Sequence, residues 1–276
     1  MLRIPLEDTF ADVLSKAQRG AGLSDDSLCQ VSNVSPTDLK RLKEGELLEA
    51  PLRQLAAPLN LGEQALLQLA HRKYLPEPRE LEGLAQFNTR FGDMTVNSYL
   101  VWDPRSRDAV AFDTGAVAFG VMAAVRTKQL NLRLVLLTHT HGDHVADLDR
   151  FRSESAAEIW ASEKEPFPGT RSFSVGHEFS AGGLRVQTRS TTGHSIGGTT
   201  YVISGLQAPV AVVGDALFAA SMGGGKISFK EALETNRKAI FTLPNSCVLC
   251  PGHGPITTVG EEKLNNPFYP EFQNHA

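Results

Sequence analysis

The densest concentration of chemistry in the chain is Thr138-His139-Thr140-His141-Gly142-Asp143-His144. It reads His-x-His-x-Asp-His, four candidate metal ligands in six residues, and holds three of the chain's eight histidines. Imidazole and carboxylate together suit Zn²⁺, and also Fe and Mn. The apolar run Leu132–Leu137 leads into the cluster, and Val145, Leu148 and Phe151 follow it on one helical face. A turn leaving a buried strand can aim several side chains at one point, because its backbone need not continue a ladder. A solvated His-rich turn is the competing reading; the apolar lead-in favours an ion.

Three later segments offer the same ligand types: Thr192-Gly193-His194, Gly214-Asp215-Ala216 and Pro251-Gly252-His253-Gly254. Each sets its ligand beside glycine, which lets the backbone approach closely. Singly, each reads as an ordinary turn. Their joint appearance after the first cluster predicts one site built from several loops. Other candidates fall away. Neither a Ser-His-Asp nor a Cys-His arrangement is needed. Cys247 and Cys250 stand three apart on an expected strand, so their thiols diverge and read as core cysteines. His177 reads as a surface turn residue, and His71 and His275 as solvated. Gly223-Gly224-Gly225 lacks the Lys-Ser/Thr helix start of a phosphate loop.

The elements that must position these residues follow from periodicity. Strands are predicted at 84–87, 94–102, 109–112, 132–137, 157–161, 199–204, 210–213 and 247–249, and helices at 117–130, 145–153 and 230–243. Hairpins mixed with strand–helix alternation imply an α/β fold of two sheets with helices outside. Residues 1–75 differ, reading as short helices at about 7–19, 28–31, 36–44, 51–59 and 63–71. Ser24-Asp25-Asp26-Ser27 caps the second, and Pro36 opens the third with Gly45 just beyond it. None is long enough to stand alone, so they are expected to pack as a small all-α bundle. Leu75-Pro76-Glu77-Pro78-Arg79-Glu80 reads as a linker. The expected division is a helical domain over 1–75, a linker over 76–81 and a metallohydrolase domain over 82–276.

The formal charge of −4 argues against a nucleic-acid binder, because phosphate contact needs excess Lys and Arg. Residues 1–80 carry ten Lys/Arg against twelve Asp/Glu, so no basic module hides there. Three cysteines are too few for a disulfide framework, no apolar run approaches a membrane span, and no leader is read at the start. A cytoplasmic protein is the expectation.

These motifs make the chain resemble the metallo-β-lactamase superfamily, and within it the branch of glyoxalase II (hydroxyacylglutathione hydrolase) and related small-thioester hydrolases. The resemblance runs over about residues 82–268. It includes Phe112-Asp113-Thr114-Gly115, the His-rich turn, Thr192-Gly193-His194, Gly214-Asp215-Ala216-Leu217-Phe218, Pro251-Gly252-His253-Gly254 and the tail from Thr257 to Phe268. It implies a four-layer αββα sandwich. It also implies that His139, His141 and His194 hold one ion, Asp143, His144 and His253 a second, and that Asp215 bridges them. Seven such ligands with one shared carboxylate suit two divalent ions, zinc first, with iron or manganese as alternatives. Asp113 would orient the metal loop without binding the ion.

The implied reaction is hydrolysis of a small thioester or ester by a metal-bridging hydroxide, with Asp143 orienting it or relaying its proton. A lactonase, or a mononuclear iron persulfide dioxygenase on the same scaffold, is the alternative. The 23 residues after His253 lack the basic helical extension that holds glutathione in long glyoxalase II enzymes, which leaves the acyl carrier open. Where the family often has Gly-Arg, this chain has Gly223-Gly224-Gly225-Lys226, and Lys226 is the candidate replacement cation. More weakly, the N-terminal helices resemble a repressor-type helix-turn-helix with Lys40, Arg41 and Lys43 near the recognition helix. A metal-regulated DNA-binding protein is therefore the reading from another class, although the acidic balance makes DNA an unexpected partner. The expected partner is a small acyl substrate, with no membrane, and with self-association through the N-terminal helices left open.

Overall fold

The computed structural model describes residues 3–273, so His275 lies outside the described residues. Five helices come first: α1 (Phe10–Ala21), α2 (Asp25–Ser32), α3 (Pro36–Lys43), α4 (Glu49–Ala56) and α5 (Glu63–Ala70). Side chains cap the first three at their starts. Thr9 and Asp12 form a reciprocal capping box on α1, and Ser24 and Ser35 accept from Ser27 N–H and Asp38 N–H. α2 and α3 meet through a turn at Asn33, whose left-handed backbone (φ 58°) ends α2.

The first sheet contains β1 (Leu84–Phe91), β2 (Met94–Trp102), β3 (Asp108–Phe112), then, after α6 (Phe119–Thr127), β4 (Asn131–Leu136). The short α7 (Gly142–Val145) and α8 (Leu148–Glu154) precede β5 (Glu158–Ser162) and β6 (Arg171–Phe173). These six strands pair in chain order, antiparallel through β3 and parallel from β3 to β6. The second sheet is built from β7 (Glu178–Ala181), β8 (Leu184–Ser190), β9 (Thr199–Ser204), β10 (Val210–Gly214), then, after α9 (Phe229–Ala239), β11 (Val248–Pro251) and β12 (Thr257–Thr258). Its spatial order is β12-β11-β10-β9-β8-β7, and β10 and β11 run parallel. α10 (Val259–Asn265) closes the fold.

Three apolar layers hold the sheets. Phe112, Leu136, Val186, Tyr201, Val212 and Cys250 are among those filling the space between them. Leu100, Ala111, Val135, Met122 and Phe151 pack the outside of the first sheet under α6 and α8. The third cluster joins Val213, Leu249, Ala232 and Ile240 on the second sheet's side to Leu14, Leu39, Leu52 and Leu66 of the N-terminal helices. This is the αββα architecture, with the N-terminal helices packed onto one outer layer. The expected helical bundle therefore shares its core with the sheet domain. An amphipathic stripe announces that something covers it; the sequence does not say what.

Several boundaries differ from expectation. The helix expected over 145–153 is two pieces, because Asp147 leaves helical geometry to accept from Ala118 N–H (2.8 Å) and from Arg150 Nε (2.7 Å). β6, β7, β8, β12 and α10 went unpredicted; four are short, and β8 has only Leu184 and Val186 as apolar residues, with Thr188 taking the next buried position. Cys247 and Cys250 fall in different apolar clusters on the two sides of β11, both as free thiols. His177 is an exposed turn residue, and His71 lies 3.0 Å from Glu49 rather than in solvent alone. Among the described residues no helix is long and apolar enough to cross a membrane.

Candidate metal centre

Every candidate ligand follows the end of a strand, in a loop or, for Asp143 and His144, in the short α7. The β4 loop brings His139, His141, Asp143 and His144; the β8–β9 connection brings His194; β10 delivers Asp215; β11 delivers His253. Their polar atoms converge in two groups, His139, His141, His194 and Asp215 in one, and Asp143, His144 and His253 in the other. In the first, His194 Nε2 faces His141 Nδ1 at 3.0 Å and Asp215 Oδ2 at 3.3 Å. In the second, His253 Nε2 is 3.3 Å from Asp143 Oδ2, and His144 Nε2 is 3.6 Å from the same oxygen. Asp215 stands between them: Oδ1 is 3.3 Å from His144 Nε2, and Oδ2 is 3.5 Å from His253 Nε2.

The donors fit a cation. His139 Nε2, His144 Nε2 and Asp215 Oδ1 are fully buried and have no hydrogen-bond partner. His144 Nε2 and Asp215 Oδ1 are close but not aligned to bond each other. Buried polar atoms are nearly always paired, so several orphans facing one spot mark an ion's place. The backbone is shaped to match. A Cβ on Gly252 would overlap Asp215 Oδ1 and crowd His144 Cε1, so only glycine lets the β11 loop pass this close.

The opposite ring nitrogens are fixed by partners, as in metal sites generally. His144 Nδ1 donates to Asp113 Oδ2 at 2.8 Å, and His253 Nδ1 to Thr95 O at 2.6 Å. His194 Nδ1 donates to Gly224 O at 2.9 Å, and His139 Nδ1 to Thr138 Oγ1 at 3.0 Å. Asp113 also takes Thr138 N–H (2.7 Å) and Thr138 Oγ1–H (2.8 Å), so one buried carboxylate orients the whole turn. The β11 loop is pinned from the other sheet: Asn97 Nδ2 donates to Pro251 O and Gly254 O, and Tyr99 OH to Pro251 O.

Electrostatics separate the rings. Burial holds His139 and His194 below the ordinary imidazole range. Burial is the largest single influence on His144 and His253 and opposes their charge, but the carboxylates together outweigh it, Asp215 with Asp113 and Asp143 respectively, so they rise to about 10 and about 11. Asp215 resists the upward push of burial and is held well below the carboxylate range by His144 and His253. Without an ion, protons on His144 and His253 balance the carboxylates; a bound cation would take over that role and release them.

Sequence reasoning missed Glu165. Its carboxylate accepts from Thr140 N–H (2.8 Å) and Thr140 Oγ1–H (3.0 Å) on one oxygen, and from Gly197 N–H (2.8 Å) on the other. It ties the His139–His141 turn to the His194 loop. In the sequence it is one acid in the polar stretch Glu163-Lys164-Glu165, with nothing to distinguish it. The carbonyls of Thr95 and Gly224 have no sequence signature at all, because any residue supplies a carbonyl.

Comparison with known proteins bears on the same region. The chain is 29% identical over 199 residues to a probable metallo-hydrolase of Streptococcus pyogenes, covering 62% of this chain and 84% of that one. It is 27% identical over 197 residues to the hydroxyacylglutathione hydrolase GloC of Haemophilus influenzae, covering 62% and 92%. The solved structure of the B3 metallo-beta-lactamase BLEG-1 superposes with a TM-score of 0.60 at 25% identity, over 67% of this chain and 99% of that one. The family pattern described as the metallo-beta-lactamase superfamily matches residues 91–253, which begin at the end of β1 and finish on the last candidate ligand. The chain belongs to the metallo-beta-lactamase superfamily.

Proposed function

We propose that the protein is a dinuclear metal-dependent hydrolase of a small thioester or ester, with chemistry like that of hydroxyacylglutathione hydrolase. The observation that carries this reading is the convergence of seven His and Asp donors, Asp215 among them and between the two groups, with three of their buried atoms unpartnered. Divalent ions there would lower the pKa of a bound water toward ~7 and supply a Lewis acid for a carbonyl oxygen. Zinc is the first expectation for this donor set, with iron or manganese as alternatives.

The chain's own residues do the rest. Asp143 is half-buried, and although burial raises its pKa, His253 and His144 hold it below the usual carboxylate range. It stays ionised at neutral pH and is the group placed to orient the attacking water and take its proton. Asp113, Thr95 and Gly224 keep the imidazoles aimed, so no reorganisation is needed during the reaction. Lys226 is exposed, and its charge bears on both His141 and His194, lowering their pKa values after burial does. We assign this ammonium to an anionic part of the substrate.

The N-terminal helices are not proposed to bind DNA. Arg41 pairs with Glu46 and Asp38, Lys43 with Asp25, and Lys40 lies 3.9 Å from Glu44, so each cation near the helix-turn-helix has an acid. The functional test is turnover of a panel of thioesters, esters and lactones after loading with Zn, Fe or Mn. Thioester or ester turnover is expected. No turnover with any of the three metals contradicts the proposal, and oxygen consumption with a persulfide would transfer it to dioxygenase chemistry.

A further inference from the structure

The N-terminal helices lie outside the family match, yet two stretches of them touch the ligand loops. Asp8 and Lys16 form an ion pair, with side chains only 10% and 14% exposed. Lys16 Nζ also donates to Met222 O at 2.8 Å, and Ser221 Oγ donates to Asp8 Oδ2 at 2.5 Å. The ammonium therefore grips the loop between β10 and α9.

That loop is the one that orients His194. Gly223, next to Met222, is packed so tightly that a Cβ would overlap Asp215 O and lie 2.8 Å from His194 Nδ1. Gly224 then presents the carbonyl that takes His194 Nδ1–H. A shift of Met222 is passed over two residues to the acceptor that sets the His194 ring. The same lysine stands 5.1 Å from the Phe218 ring centroid, and Phe218 lies edge-on to the His253 ring at 5.4 Å. Just before α1, Glu7 N and Pro5 O line the space beside Gly254, at 3.2 and 3.6 Å from where a Cβ would sit. Residues 5–16 thus back the loops that carry His194's acceptor and His253.

We infer that Lys16 is a positioning residue for the metal centre. Through Asp8 and the Met222 carbonyl it holds the Met222–Gly224 loop, and through Gly224 it fixes His194. The N-terminal segment is then part of the metal site's supporting shell, not a separate attachment. This inference rests on the metal-site reading above. Replacing a partner that orients a metal-bound histidine typically lowers metal affinity ~10–100-fold.

The test is metal binding by the full chain, using Zn²⁺ with a chromophoric chelator as competitor and Co²⁺ absorption as a report on ligand geometry. Lys16→Met is expected to weaken the tighter or the weaker of two bound ions by about tenfold or more and to change the cobalt spectrum. Lys16→Arg, which keeps the charge and the donor, is expected to restore most of both. Should Lys16→Met fail to fold, Asp8→Asn carries the same expectation with a smaller loss. Unchanged affinity and an unchanged cobalt spectrum in the folded variant, whatever its melting temperature, would overturn the positioning role. Wild-type protein that binds no ion would instead refute the metal-site reading on which the role depends.

Discussion

Glu165→Ala removes one carboxylate that serves two ligand loops at once. The substitution strands the backbone N–H groups of Thr140 and Gly197, together with the Thr140 hydroxyl. A hydrogen bond to a charged group contributes ~1.5–3 kcal/mol. Glu165 is only partly buried, so water can replace some of what is lost, and a total of ~2–4 kcal/mol follows from two such bonds at the low end of that range. The loss has two sinks. Part lowers the stability of the ion-free chain. Part is paid by the metal, because the His139–His141 turn and the His194 loop are no longer held in register. On the second share, affinity for the ion in the first ligand group should fall ~10–100-fold, while the group of Asp143, His144 and His253 is spared. Glu165→Gln keeps one acceptor and should fall between. Chelator competition gives the two affinities, and thermal melting of ion-free protein gives the stability share. An alanine variant that melts earlier but binds both ions with wild-type affinity would refute the claim that Glu165 organises the site.

Two further outcomes follow from other parts of the structure. Glu262 is fully buried, and burial raises its pKa to about 7 despite bonds from Asn266, Thr257, Ala220 and Tyr74. Its folded pKa lies above the unfolded carboxyl value, so its proton stabilises the fold at acid pH, and that contribution is lost as pH rises to about 7. The difference is at most ~3.5 kcal/mol, at ~1.4 per pKa unit. Glu262→Gln should therefore gain stability relative to wild type between pH 5 and pH 8 in chemical denaturation; a difference flat with pH contradicts the assignment. Lys226→Met should raise KM about fivefold for an anionic thioester and leave kcat and neutral esters unchanged, the pattern of an exposed charge lost from uniform binding. An equal effect on a neutral ester would remove Lys226 from substrate recognition.

Much of the site was legible because its chemistry is local. Four candidate ligands sit within six residues after an apolar run, and the distant candidates each follow a strand and neighbour a glycine that close approach requires. Periodicity also found the apolar strands β4, β10 and β11 that deliver most of them, but not β8, which precedes His194. What escaped was held by relations that no spacing encodes. Glu165 is distinguished only by where its loop folds back. Lys16 and Asp8 look like ordinary charges on an amphipathic helix, and become part of the site because α1 lands on the Met222 loop. Helical spacing predicted that the N-terminal helices pack on one another; their apolar cluster also extends to Val213 and Leu249 of the second sheet and Ala232 of α9.

The central claim is that seven side chains hold two ions around one shared carboxylate. Elemental analysis of protein purified after metal loading, wild type beside Asp215→Ala, tests it most directly. Two equivalents in the wild type are expected, with at least one lost in Asp215→Ala together with hydrolytic activity. Less than one equivalent in the wild type, or full metal content and activity in the variant, would contradict the account.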